Sequence, residues 1–351
     1  MFIELAAAVA ISALISLIAC RVVMQMGPLD APDAPRKAHG APTPTSGGIG
    51  IAIGFGVSLI IFALFSRAVR DEIAPQGAFL LTVAASCSYL FLAIGAWDDA
   101  RDLSARLKFV LFGVAVGVST LAVGPVTEFP IYGNSAVAIP LWLAYAGTAL
   151  WVFTLVNSVN FMDGANGLAM GSVTIGLMFL AAVSFTQGSM AGVVICLCAV
   201  GALLGFLFWN FPAGRLFAGD SGALFAGALA ALSSIIVVHR TGVSPMIPPI
   251  LFFPLLADVL VTLAWRAWRR RSLFDGHSEH LYQIARHGGM SHAEVSFIYW
   301  SATAACGAIG FLLASEEGYA QAIALATLAG AAIVASTAVR RFAGRRGIEG
   351  V

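Results

Sequence analysis

Charge is what this sequence has least of. Only 19 Lys+Arg and 18 Asp+Glu occur among 351 residues, 11 % of the chain, where an average soluble domain carries about 25 %. That scarcity excludes an ordinary soluble fold. A net charge of +1 leaves no basic excess to neutralise phosphates along a duplex, so no nucleic-acid partner is expected. Cysteine is scarce too: Cys20, Cys87, Cys196, Cys198 and Cys306 all lie inside apolar runs, with no paired metal spacing and no Cys-rich loop. No repeat of 20–50 residues and no polar stretch long enough for a soluble appendage is visible.

Apolar residues, in contrast, make up 59 % of the chain, enough for about ten membrane spans of roughly 20 residues each. The apolar runs fall near 2–24, 47–66, 77–97, 107–124, 136–156, 168–187, 189–209, 221–239, 246–265, 293–314 and 318–339. They predict an all-α polytopic membrane protein of about eleven transmembrane helices, forming one membrane-embedded domain over 1–351. The run at 136–156 is long enough for its ends to be re-entrant or interfacial. The first run ends in Leu17-Ile18-Ala19-Cys20, which mimics a lipoprotein cleavage box. With Glu4 near its start and a length sufficient to span, it reads as a retained helix rather than a cleaved signal.

Basic residues are retained on the cytoplasmic side of a membrane. With eleven spans, 16 of the 19 Lys and Arg fall on one face, leaving Arg67, Arg70 and Arg240 on the other. This bias predicts a cytoplasmic C-terminus and an outside N-terminus. The same face collects the chemically rich loops, near 25–46, 98–107, 157–167, 210–220 and 266–292, so a site open to cytosolic substrates is expected.

Taken one at a time, these loops admit plain readings. Asp98-Asp99, followed by Lys108, is either a solvated helix end or a carboxylate pair needing a cation. In Asn157-Ser158-Val159-Asn160-Phe161-Met162-Asp163-Gly164-Ala165-Asn166-Gly167, a capped turn explains two or three polar residues but not the whole set. Asp220-Ser221, opening a helix after Asn210, Arg215 and Phe217, is either an N-cap or a place where a carboxylate holds a divalent ion against phosphate. Arg266, Arg269, Arg270 and Arg271 suit lipid headgroups. His277, His280, His287 and His292, with Arg286, suit a diphosphate clamp, acid–base work or, less well, zinc. Arg36-Lys37-Ala38-His39 before Pro42, Pro44 and Gly47-Gly48 is an irregular basic loop. Asp258, buried in an apolar run, best supports a competing class, a transporter or channel using intramembrane carboxylates.

Together and in this order, the loops resemble the polyprenyl-phosphate N-acetylhexosamine-1-phosphate transferases (glycosyltransferase family 4 type). The string His277-x-x-His280-x-Tyr282-Gln283, then Arg286 and Ser291-His292, looks most like the branch that initiates O-antigen in bacteria. Asn166 departs from that bacterial pattern, which has Asp there. The resemblance implies a multi-pass inner-membrane enzyme whose site faces the cytoplasm and moves the sugar 1-phosphate of a UDP-N-acetylhexosamine onto undecaprenyl or another polyprenyl phosphate, releasing UMP. It implies Mg²⁺, with Mn²⁺ able to replace it, on Asp220 with help from Asn157. Asp98, Asp99, Lys108, Asp163, His277 and His280 become the catalytic candidates. Lys37, Asn157, Asn160, Asn166, Asn210, Phe217 and Arg286 become the substrate-binding ones. The donor sugar, the glycan pathway and the oligomeric state are left open by the sequence, a homodimer among the assemblies it allows.

Overall fold

The computed structural model describes residues 2–25, 29–30, 43–66, 75–132, 135–272, 277–316 and 318–348. Among them the helices run in the order α1 (Phe2–Val23), α2 (Gly47–Phe65), α3 (Pro75–Arg101), α4 (Ala105–Val123), α5 (Leu141–Met162), α6 (Leu168–Thr186), α7 (Met190–Asn210), α8 (Gly219–Thr241), α9 (Ile247–Leu251), α10 (Phe253–Trp268), α11 (Leu281–His287), α12 (His292–Leu313) and α13 (Gly318–Arg345). Ten of these are long and apolar enough to cross a membrane. The protein is a polytopic all-α membrane protein.

Two details depart from the eleven apolar runs. The run at 246–265 is broken at Phe252, where α9 ends and α10 begins; Pro254, in the first turn of α10, has no N–H for the carbonyl of the preceding turn. The run at 136–156 starts in an extended segment. Glu128–Tyr132 (β1) pairs antiparallel with Ser135–Ala138 (β2), and the helix begins only at Leu141, after Pro140. A further pair of two-residue strands joins Leu29–Asp30 to Thr43–Pro44.

The bundle is organised around α8. Its residues from Ser221 to Val238 are buried without interruption, ringed by α2, α3, α5, α6 and α7. Such a helix has no polar face to turn outward, and its Gly, Ala and Ser content lets neighbours approach closely, the usual basis of helix association in lipid. A Cβ on Gly48 would lie 2.2 Å from Gly222 N, and one on Gly95 would lie 2.5 Å from the Asp220 carbonyl carbon. Glycine at these two positions thus brings α2 and α3 directly against the start of α8. The outermost helix, α13, is mostly exposed apolar surface, as expected of a helix facing lipid.

Candidate active site

The site begins with that close approach. The two carboxylates of Asp98-Asp99, at the end of α3, have different partners. Asp99 accepts the backbone N–H of Asp220 at Oδ1 (2.9 Å) and of Ser221 at Oδ2 (3.0 Å). It therefore caps α8 from another helix, satisfying two of the N–H groups a helix start leaves free. The residue before α8 is Ala218, which has no side chain able to cap. Asp220 consequently does not cap its own helix, contrary to the plain reading of Asp220-Ser221. Gly219 must be glycine: its φ is +70°, and a Cβ there would sit 2.6 Å from Asp99 Oδ2.

Asp98 turns the other way. It accepts Leu103 N–H at 2.9 Å and pairs with Lys108 Nζ at 2.5 Å. Asp98 is almost wholly buried, whereas Lys108 is 40 % exposed, so the ammonium has donors to spare. The carboxyl groups of Asp98 and Asp220 are in hydrogen-bonding contact with each other. Asn160 of α5 donates its amide to Asp220 Oδ1 at 3.0 Å. Asn157, one turn earlier, donates to the Phe153 carbonyl of its own helix at 2.8 Å. Of the two asparagines it is therefore Asn160, not Asn157, that touches Asp220. Asp163 lies just past α5, where burial and the nearby Asp220 and Asp99 carboxylates push its pKa well up.

Four carboxyl groups thus gather around one lysine, an imbalance that a divalent cation would relieve. Among the described residues, no three His, Cys, Asp or Glu side chains converge closely enough to ligate a metal alone. The carboxylates of Asp220 and Asp98 and the amide of Asn160 are oxygen donors of the kind a hard cation such as Mg²⁺ takes.

The turn after α5 is framed by groups that the sequence suggested would meet substrate. Buried Asn210 accepts Gly167 N–H at 2.6 Å and donates to Leu216 O at 2.8 Å, tying the turn at 163–167 to the loop after α7. Both ends of its amide are engaged inside the protein, so Asn210 is a brace. Asn166 donates to Pro212 O at 3.0 Å, while its backbone is held by His292 Nδ1 (3.2 Å) and Ser296 Oγ (2.8 Å). Phe217 lies half-buried beside them, its backbone bonded to Pro44 and Gly47. Arg286 points inward, to His292 Nε2 at 2.9 Å and to the Met290 carbonyl. It fastens its own loop rather than standing free for a ligand.

The histidine loop closes over the other side of this turn. His280 is buried and stacks on Phe161 with ring centroids 5.9 Å apart, and His277 lies 4.9 Å from His280. Burial, then His280 and Arg266, hold the His277 pKa down to about 4. His277 is accordingly neutral at pH 7 and offers a hydrogen-bond donor or acceptor rather than a positive charge. Tyr282, which sequence reasoning passed over, donates its hydroxyl to Phe161 O at 3.1 Å. Lys37 lies outside the described residues.

The facing ends of α3, α4, α5 and α8 thus bring together Asp98, Asp99, Asp220 and Asn160, with Lys108 paired to Asp98. Residues 81–238 match the family described as glycosyl transferase family 4, which supports a transferase. It is 28 % identical over 275 residues to a probable undecaprenyl-phosphate N-acetylglucosaminyl 1-phosphate transferase of Bacillus subtilis, covering 78 % of this chain and 73 % of the relative. It is 28 % identical over 292 residues to a phospho-N-acetylmuramoyl-pentapeptide-transferase of Rubrobacter xylanophilus, covering 78 % and 83 %. It is also 28 % identical over 340 residues to a decaprenyl-phosphate N-acetylglucosaminephosphotransferase of Mycobacterium tuberculosis, covering 86 % and 79 %.

Proposed function

We propose that this protein transfers an N-acetylhexosamine 1-phosphate from a UDP-sugar to undecaprenyl or another polyprenyl phosphate, on the cytoplasmic side of the inner membrane. The product is polyprenyl diphosphate-sugar, the first intermediate of a lipid-linked glycan such as O-antigen or another cell-envelope polysaccharide. An oxygen of the lipid phosphate forms a bond to the β-phosphorus of the UDP-sugar, the bond from that phosphorus to the bridging oxygen breaks, and UMP leaves. The activities of these relatives support this reading, all being phosphosugar transferases. The observation that carries it is the cluster of Asp98, Asp99, Asp220, Asn160 and Lys108 at the facing ends of α3, α4, α5 and α8.

Two anions must meet in this reaction, so charge neutralisation and positioning are most of what a protein can contribute. Asp220 and Asp98, with Asn160, would hold Mg²⁺ or Mn²⁺, which when bound supplies positive charge to the diphosphate. Lys108, tethered by Asp98 yet 40 % exposed, offers its remaining donors to a phosphate. Asp99 keeps the start of α8 in place. A general base is not required, because a phosphate monoester already loses most of its second proton near neutral pH. Phe217 and Asn166 would meet the uridine.

The transporter reading loses its main support. Asp258 is occupied by backbone N–H groups of the histidine loop and marks no path across the bundle. The deciding experiment is incubation of the purified protein with polyprenyl phosphate, Mg²⁺ and a panel of UDP-sugars. UMP release that needs lipid, donor and divalent ion together is the expected result. Absence of release with every N-acetylhexosamine donor sinks the reading.

A further inference from the structure

The proposed reaction leaves Asp258 without a task, yet its carboxylate is bonded from several elements. Asp258 lies in the middle of α10 and is 2 % exposed. A carboxylate removed from water survives only with partners. Its partners come from three elements. Leu281 N–H donates to Oδ1 at 2.8 Å, Tyr282 N–H to Oδ2 at 3.2 Å, and the Tyr299 hydroxyl of α12 to Oδ2. Thr262, one turn along α10, donates to Oδ1 at 3.3 Å, and His280 Nδ1 stands 3.3 Å from the same oxygen.

Two things follow from this arrangement. The seven-residue α11 is far below the length at which a helix holds itself in water, and it starts where Asp258 takes its first two N–H groups. The His280 ring is also fixed: Nδ1 faces Asp258, and the ring lies near-parallel to Phe161 on one side and Tyr282 on the other, with centroids at 5.9 and 6.1 Å. Phe161 follows Asn160, whose amide reaches Asp220. A continuous set of contacts therefore joins Asp258 to the acidic cluster through His280. Arg340 of α13, 2 % exposed, braces the loop from behind through Thr262 Oγ1 (3.0 Å) and Glu279 O (2.8 Å).

We propose that Asp258 is a positioning residue for the transfer reaction: its carboxylate sets the tautomer and orientation of His280 and fixes the start of α11 over the turn at 161–164. With Nδ1 turned to Asp258 at 3.3 Å, though less well aligned than a hydrogen bond requires, Nε2 is the nitrogen left for the diphosphate, the usual consequence of a carboxylate behind a functional imidazole.

The proposal rests on the transfer activity proposed above, and the test separates the two. The full chain in detergent is assayed for UMP release as wild type, Asp258→Asn, His280→Ala and the double variant. Each single change should lower kcat roughly tenfold or more, on the scale of losing an outer partner of a functional imidazole. The double variant should match His280→Ala within about twofold, because residues acting as one unit are not additive. Losses that multiply, or an Asp258→Asn enzyme with unchanged kcat, overturn the proposal while leaving the transfer reaction standing. Full turnover by His280→Ala overturns it as well. If Asp258→Asn does not fold, Tyr299→Phe replaces it; the smaller loss it causes should vanish in the His280→Ala background, and an additive loss counts against the proposal. If no donor yields UMP, the transfer reading itself has failed, and nitrogen NMR of histidine-labelled protein still decides the positioning. His280 should be the Nδ1–H tautomer in the wild type and a mixture in Asp258→Asn, and an identical spectrum in both overturns it.

Discussion

Two helices in this protein, α8 and α11, begin in the same way and depend on it very differently. In each, a carboxylate from another helix accepts two successive backbone N–H groups: Asp99 those of Asp220 and Ser221, Asp258 those of Leu281 and Tyr282. Behind the first lies a 23-residue helix buried from Ser221 to Val238 in the centre of the bundle. Behind the second lie seven residues at its edge, packed on α10, α12 and α13. Burial would keep α8 helical without its cap, so Asp99 mainly decides where Asp220 sits. For α11 the cap decides whether the helix forms at all. The side chains left over differ too. Around α8, Asp220, Asp98 and Lys108 face one another with capacity to spare, whereas around α11 Arg266 and Arg271 are paired with Glu279, and Arg286 with its own loop. The first region is a reaction site in composition; the second is a scaffold that presents one or two imidazoles to it.

The sharpest way to break this distinction is at Asp220. Asp220→Asn leaves the backbone N–H that Asp99 holds, so folding and detergent melting temperature should stay close to wild type. Turnover should fall on the order of a hundredfold or more, as when a group stabilising transition-state charge is removed. A comparable fall in stability would mean that Asp220 belongs to the scaffold. Next is Asp99→Ala, which strips both capping bonds. Because α8 is held by its neighbours, the expected cost is about 1–3 kcal/mol of stability, for N–H donors left unsatisfied, with roughly tenfold lower turnover from the shifted Asp220. Calorimetry and UMP release on one preparation check both. Loss of all folded protein would show that α8 depends on its cap as α11 does. Gly219→Ala approaches the same contact from the backbone. At φ +70°, with a Cβ 2.6 Å from Asp99 Oδ2, it should cost on the order of 1–3 kcal/mol. Its effect should be non-additive with Asp99→Ala in a double-mutant cycle.

The all-α architecture and membrane class were legible because they depend on local composition. The apolar runs are continuous, and Asn160, Asp163 and Asp220 interrupt them too abruptly to be lining alone. The division of labour inside the loops was not legible. Asp98 and Asp99 are neighbours in sequence, but a helix turns about 100° per residue, so one reaches Lys108 and the other the start of α8. Asn210 and Arg286 have the chemistry of ligand-binding residues and spend it on Gly167, Leu216, His292 and Met290. Asp258 reads in sequence as a lone buried acid because all of its partners except Thr262 come from distant segments, at His280, Leu281, Tyr282 and Tyr299. The break at Phe252 escaped a hydropathy average, although Pro248, Pro249 and Pro254 announced it.

The smallest expected effect is a pH response confined to the histidine loop. His277 is held down to about 4 by burial first, then by His280 and Arg266. Its folded value lies below the ordinary imidazole value of 6.5, so the unfolded loop binds a proton that the folded loop excludes, and acidification favours opening between about pH 6.5 and 4. Glu279 adds to this lower down. Burial raises its pKa, but the ion pairs with Arg271 and Arg266 outweigh burial and hold it below 4.5, so its contribution is lost only as pH falls through that lower value. Both groups act in the same direction, on a helix of only seven residues. Amide exchange over Leu281–His287, corrected for intrinsic rates, should therefore be faster at pH 5 than at pH 7, while α8 stays protected at both. In His277→Gln the difference between pH 7 and pH 5 should largely disappear, because Glu279 titrates below that interval. Equal protection of α11 at the two pH values would mean that Asp258 and Arg340 hold the loop too firmly for one imidazole to matter, and the contrast with α8 would be weaker than drawn here.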